Sequence, residues 1–194
     1  MRTAAEKIEL CKQFVQDNAP HWIFNPDLIA ALQLREIRFC REDVMRGNRG
    51  YALEHNVRVS AVTAKWRHAS PYTAPCGKAD LSPLGVMVHE MGHILEFASW
   101  RVQDGPRLQQ EWKALHRDRR REAVTSYARS HWREDLAESH RLFVLNPKLL
   151  KELSPERFHA IRDLYKALLN TERLRQEFKL SPADFRRQFH LLVH

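Results

Sequence analysis

Residues 89–93 read His-Glu-Met-Gly-His, a string able to do metal chemistry. On a helix, His89 and His93 fall on one face, about 6 Å apart along the axis. Two imidazoles so placed can share one Zn²⁺ at about 2.0–2.1 Å each. Glu90 stands beside them and can reach a water at the metal without being a ligand. A metal to acidify a water and a carboxylate to take its proton are the parts of a zinc hydrolase.

A catalytic zinc takes three protein ligands and leaves one position to water. The metzincin pattern asks for a third His six residues after His93. Ser99 stands there, and Glu96 occupies the place of the accompanying glycine, so that pattern fails. Asp104 and His116 are alternative donors, but no second motif surrounds either. The best candidate stretch is Tyr127-Ala-Arg-Ser-His-Trp-Arg-Glu-Asp-Leu-Ala-Glu138. Glu134 and Glu138 share a helical face. The first can bind zinc, and the second can hold a ligating His by hydrogen bonding. Tyr127 precedes Glu134 by seven residues and can offer its phenol to a developing oxyanion. His131 competes for that role. The bland alternative is a solvated helix in which Arg133, Glu134, Asp135, Glu138 and Arg141 are surface charges and Tyr127 merely packs.

The pair of motifs, H-E-M-G-H and S-Y-A-R-S-x-x-x-E-D-L-A-E-S-x-R-L, resembles the gluzincin catalytic domain of the anthrax-lethal-factor type, a group that includes the clostridial Pro-Pro endopeptidases. The similarity runs from about residue 80 to 165 and continues through Arg141-Leu142 and Asn146-Pro147-x-x-Leu150. The resemblance implies that His89, His93 and Glu134 are zinc ligands and Glu90 the general base. It also implies that Tyr127 steadies the transition state and Glu138 supports a ligand. A second gluzincin group, regulatory peptidases of the kind that cleave phage repressors, is matched more loosely by Glu134-x-x-Ala137 and Leu145-Asn146-Pro147. It lacks the Tyr.

The motifs need elements to position them. Ser82 can cap a helix with Pro83 at its first position, and Gly105-Pro106 marks a stop, which predicts a helix over about 83–101. Gly92 is a poor helix former and allows close backbone approach. Further helices are predicted near 3–17, 26–35, 106–118, 131–144, 156–170 and 182–192, the last opened by Ser181-Pro182-Ala-Asp184. Asn146-Pro147 and Ser154-Pro155 divide the later part into short helices. Residues 51–66 are the best strand candidate, with Val57, Val59, Ala61 and Thr63 alternating with Arg58 and Ser60. A sheet edge beside the zinc helix could pair with an extended peptide substrate. A loop over 70–77 follows. The expected fold is α+β and zincin-like: mostly helical, with a small mixed sheet beside the metal helix.

A length of 194 residues suits one domain with a real core. It divides into a helical part to about 50, a catalytic core over about 51–170 and a C-terminal helix from about 171. The hydrophobic share of 43% and charged share of 29% are those of a soluble globular chain. No apolar run can span a bilayer. The N-terminus has the pattern of an amphipathic helix rather than a secretory leader, so cytoplasmic synthesis is expected, with leaderless export or injection still open. Cys11, Cys40 and Cys76 lack metal spacing and read as free thiols. The segment around Cys76 faintly resembles the cysteine switch of matrix-metalloprotease propeptides, but a loop thiol is the default reading. The net charge of +8 is clustered at 116–121, Arg173 and Arg175, and Arg186-Arg187. Acids interleave the bases, so solvated helix faces are preferred to a nucleic-acid surface. The function expected is zinc-dependent endopeptidase activity on an extended peptide through a Glu90-activated water. The rivals are a non-catalytic binding or structural module on the same fold and a regulatory peptidase of the repressor-cleaving kind.

Overall fold

A computed structural model describes residues 2–61, 80–169 and 181–194. The expected strand residues 62–66, the loop at 70–77 with Cys76, and Arg173 with Arg175 lie outside them. The described chain is mostly helical with a small mixed sheet, in the order α1 Ala4–Asn18, α2 Pro26–Leu32, β1 Glu36–Cys40, β2 Gly50–Leu53, β3 Asn56–Ser60, α3 Pro83–Ser99, α4 Gly105–Asp118, α5 Trp132–Leu145, α6 Pro147–Leu153, α7 Pro155–Leu168 and α8 Pro182–Leu192.

Helix α3 forms as its sequence dictates. The Ser82 hydroxyl accepts from the Gly85 N–H at 2.9 Å, and Pro83 follows the cap. Nearly every α3 residue is buried, because the helix lies between two layers. Strands β2 and β3 cover one side of it and α5 the other. Gly92 marks the crossing with α5: a Cβ there would stand 2.7 Å from the Ala137 Cα. The two helices therefore meet backbone to backbone.

The sheet order is β1-β3-β2, with β1 parallel and β2 antiparallel to β3. Val57 and Val59 of β3 face Ile37 and Phe39 of β1. Among the described residues β2 is an edge strand. The outer side of β1 meets the C-terminal segment, where the His194 N–H donates to the Ile37 carbonyl at 2.7 Å. One hydrophobic core runs from Cys11 and Val15 through α3 to Phe189 and Val193.

Three expectations are corrected. The described part of the strand expected over 51–66 is a hairpin, since Glu54 and His55 form the turn between β2 and β3. The N-terminal part, expected to be helical to about 50, contains β1. Helix α2 stops at Leu32 rather than 35 because Gln33 takes a left-handed conformation at φ 54°.

Cys11 and Cys40 are free and buried, and burial pushes the Cys11 thiol up to about 12. Much of the basic run is paired: Arg117 with Asp118, Arg119 with Glu122 and Glu156. No helix among the described residues is long and apolar enough to cross a membrane.

Candidate metal centre

His89 and His93 project from one face of α3 toward Glu134 in the first turn of α5. His89 Nε2 lies 3.1 Å from Glu134 Oε2, and His93 Nε2 lies 3.6 Å from the same oxygen. For bonds of about 2.0–2.1 Å, two ligands of a tetrahedral ion stand about 3.4 Å apart. The observed separations bracket that edge length. Among the described residues this is the sole group of three donors close enough to hold one ion.

The second acid, Glu138, sets the proton on His89. Its Oε1 is 2.8 Å from His89 Nδ1, and a carboxylate only accepts, so Nδ1 carries the hydrogen. In a neutral ring Nε2 is then a lone pair facing a second lone pair on Glu134. Such a contact requires a cation or a proton between the two atoms, and this is the chemistry of a metal donor set. Without a metal the proton serves. Burial opposes the charge on His89, but Glu134 and Glu138 outweigh it and raise the imidazole to about 9. Burial likewise works against the charge on each acid. The two histidines nonetheless hold Glu134 far below the usual carboxylate range, and His89 with Arg141 brings Glu138 down to about 2. Glu138 is itself gripped by Arg141, with Nη2 at 3.0 Å from Oε2 and Nε at 3.2 Å from Oε1.

Helix α5 is locked in place by further buried polar contacts. His140 Nδ1 donates to the Val88 carbonyl at 2.9 Å, and Nε2 accepts from the Tyr165 hydroxyl at 2.7 Å. Full burial lowers His140 to about 4, so the ring stays neutral. Asp135 is held by Arg157 at 2.8 and 2.9 Å and by His116 at 3.0 Å. Asp135, Glu138 and Arg141 are thus core residues, which overturns the surface-charge alternative for them.

Glu90 enters from between α3 and β2. Burial raises its pKa, while His89, His93 and the Ala52 N–H favour the ionised form. Gly50 makes room for it, since a Cβ there would lie 2.5 Å from Glu90 Oε1. Ladder alternation turns the polar groups of Gly50 and Ala52 away from β3, whose bond to the preceding residue runs from Ser60 N–H to the Arg49 carbonyl.

Tyr127 reaches the same centre from the turn before α5. Its ring centroid is 5.7 Å from that of His89, and it lines the same cleft as Glu134. Burial, then the Glu134 charge, push the phenol up to about 12, so it remains a proton donor. The competing donor, His131, caps α5 by accepting from the Arg133 N–H at 3.2 Å. The alternative ligands also lie elsewhere: Asp104 is exposed at the start of α4, and His116 is bound to Asp135.

A cleft of about 290 Å³ opens over His89, Glu90, His93 and Glu134, walled by Tyr51, Glu96 and Arg133. A second, of about 480 Å³, adjoins it and shares Gly50, His89, Glu90 and Tyr127. Together they make a groove across the donor set, along β2. Sequence reasoning did not find Gly50, the Ala52 N–H, Glu96 or Arg133 as cleft features. Each depends on β2 and α5 docking against α3, and no local spacing reports that. No family model, no curated protein and no solved structure matches this chain.

Proposed function

We propose that this chain is a zinc-dependent endopeptidase of gluzincin type, with a zincin-like fold. The observation that carries the proposal is the donor set: two histidines and a carboxylate at tetrahedral edge spacing, with a buried acid behind one His and a second carboxylate beside the cleft. Bound Zn²⁺ supplies Lewis acidity and brings the pKa of water toward about 7. His89, His93 and Glu134 hold the ion, and Glu138 fixes the tautomer that lets His89 do so. Glu90, at the groove floor, takes a proton from the attacking water and returns it to the leaving amine. Its raised pKa suits both halves of that exchange. Tyr127 donates its phenolic hydrogen to the carbonyl oxygen as charge develops there. The edge of β2 aligns an extended peptide along the groove. Tyr127 supports the lethal-factor-type reading over the repressor-cleaving kind, which lacks that residue.

The test is metal analysis together with cleavage of a quenched peptide library. Purified protein is expected to carry one zinc and to cleave. Glu90→Gln is expected to keep the zinc and lose about 10²- to 10⁴-fold in rate. Undiminished cleavage by that variant would remove Glu90 from the mechanism, and a zinc-loaded wild type that cleaves nothing would leave a binding module.

A further inference from the structure

The cleft wall contains a charged pair that the proposed hydrolysis does not use. Glu96 lies one helical turn beyond His93 on α3 and is 1% exposed, although it lines the cleft. A buried carboxylate needs a cation. Arg133 provides it across the α3–α5 junction: its Nε lies 3.3 Å from Glu96 Oε2 and 3.4 Å from Oε1. The Trp132 ring holds the other flank, with the guanidinium carbon 5.1 Å from its centroid. The guanidinium is thereby fixed by a single nitrogen and a ring face. Its two terminal nitrogens have no acceptor among the described residues. The side chain is 51% exposed, and among the described residues it is the sole Arg or Lys lining that cleft.

An Arg anchored through Nε presents a planar pair of N–H edges, the geometry that matches a carboxylate through two hydrogen bonds. Its neighbours on the cleft wall are Glu90, Glu96 and Glu134. A second cation from a ligand would add nothing to Arg133, while a carboxylate would complete it. We propose that Arg133, anchored by Glu96, is a specificity-determining residue that selects peptides bringing a carboxylate into the cleft beside the metal donors. This rests on the peptidase reading and names its substrate class. The carboxylate has two sources. A peptide antiparallel to β2 would place residues before the scissile bond near Arg133, so an Asp or Glu side chain would meet it. A parallel peptide would bring its C-terminal side there, and a free α-carboxylate could serve.

The experiment uses zinc-loaded Glu90→Gln protein and three fluorescent peptides of one length: neutral and amidated, amidated with an internal acidic residue, and neutral with a free C-terminus. Fluorescence anisotropy is expected to show one carboxylate peptide binding about 10- to 100-fold more tightly than the neutral one. Adding Arg133→Gln is expected to remove that difference with zinc content unchanged, and Arg133→Lys to restore part of it. Preference for the internal acid assigns a side chain, and preference for the free terminus assigns the α-carboxylate. Equal binding of all three peptides, or a preference that survives Arg133→Gln, overturns the proposal. Turnover separates the two levels. Equal cleavage of all three by protein with Glu90 intact overturns the selectivity and keeps the peptidase. Carboxylate-selective binding without cleavage keeps the selectivity and ends the peptidase.

Discussion

At the scale of single residues, His89 is where the site's chemistry is decided. One ring nitrogen faces Glu138 and the other faces Glu134. A neutral amide in place of Glu138 could present its N–H₂ to Nδ1 and reverse the tautomer. Glu138→Gln is therefore expected to weaken zinc binding about 10- to 100-fold, measured by competition with a chelator of known affinity. An unchanged zinc affinity would show that the Glu138 charge acts only on Arg141. That these side chains gather was legible in the sequence because His89, Glu90 and His93 lie within about one helical turn of one another on α3. Glu134 and Glu138 were legible because a two-His site lacks a carboxylate. Arg133 was not, since an Arg next to a helix start reads as solvated charge until Glu96 is seen buried beneath it. The Ala52 N–H was illegible for a deeper reason: a backbone hydrogen bond leaves no mark on side-chain identity.

At the scale of elements, the α3–α5 crossing decides whether three donors become one site. Ala137 passes over Gly92 with no room for a methyl group. Gly92→Ala would favour helix formation locally by about 1 kcal/mol. It would also force the helices apart, which costs about 1–3 kcal/mol when a packed contact is overfilled. The net expectation is a lower melting temperature together with weaker zinc binding, read by calorimetry and chelator competition on the same sample. A stabilised variant with full zinc affinity would mean that the crossing adjusts freely. Helices α3, α5 and α8 were readable because each begins with a polar cap, and α3 and α8 add a proline at the first position. Strand β1 was missed for a definite reason. Gln33 ends α2 in a left-handed conformation with neither Gly nor Pro to announce it, so the helical pattern seemed to run on. The β2–β3 turn escaped for a similar reason, because Glu54-His55 carries none of the Asn-Gly or Asp-Gly chemistry that marks a tight hairpin.

At the scale of the whole molecule, the proposed metal would compete with a proton for the same atom. His89 without metal has its pKa raised from 6.5 to about 9. Its contribution to stability is then full below the ordinary value and is lost as pH rises through about 9. Glu138, lowered to about 2, contributes above the ordinary carboxylate range and loses that contribution as pH falls toward 2. With chelator present, thermal unfolding is expected to show a melting temperature that declines from pH 6.5 to 9. With zinc in excess the decline is expected to disappear, because the ion takes the place of the proton. At a free concentration of 100 times Kd, the ion adds about 2.7 kcal/mol. Identical pH profiles with and without zinc would remove His89 from the ligand set. The donor spacing has one more consequence. Glu134 stands 41 positions after His93, and an ion gripping both would close that stretch into a ring. A permanent bridge over such a length removes chain entropy from the unfolded state worth on the order of 4 kcal/mol. A bound ion would be a staple of that kind, but one that a chelator or acid can withdraw. On the proposed function, the rigidity of the helix pair would then follow the supply of metal.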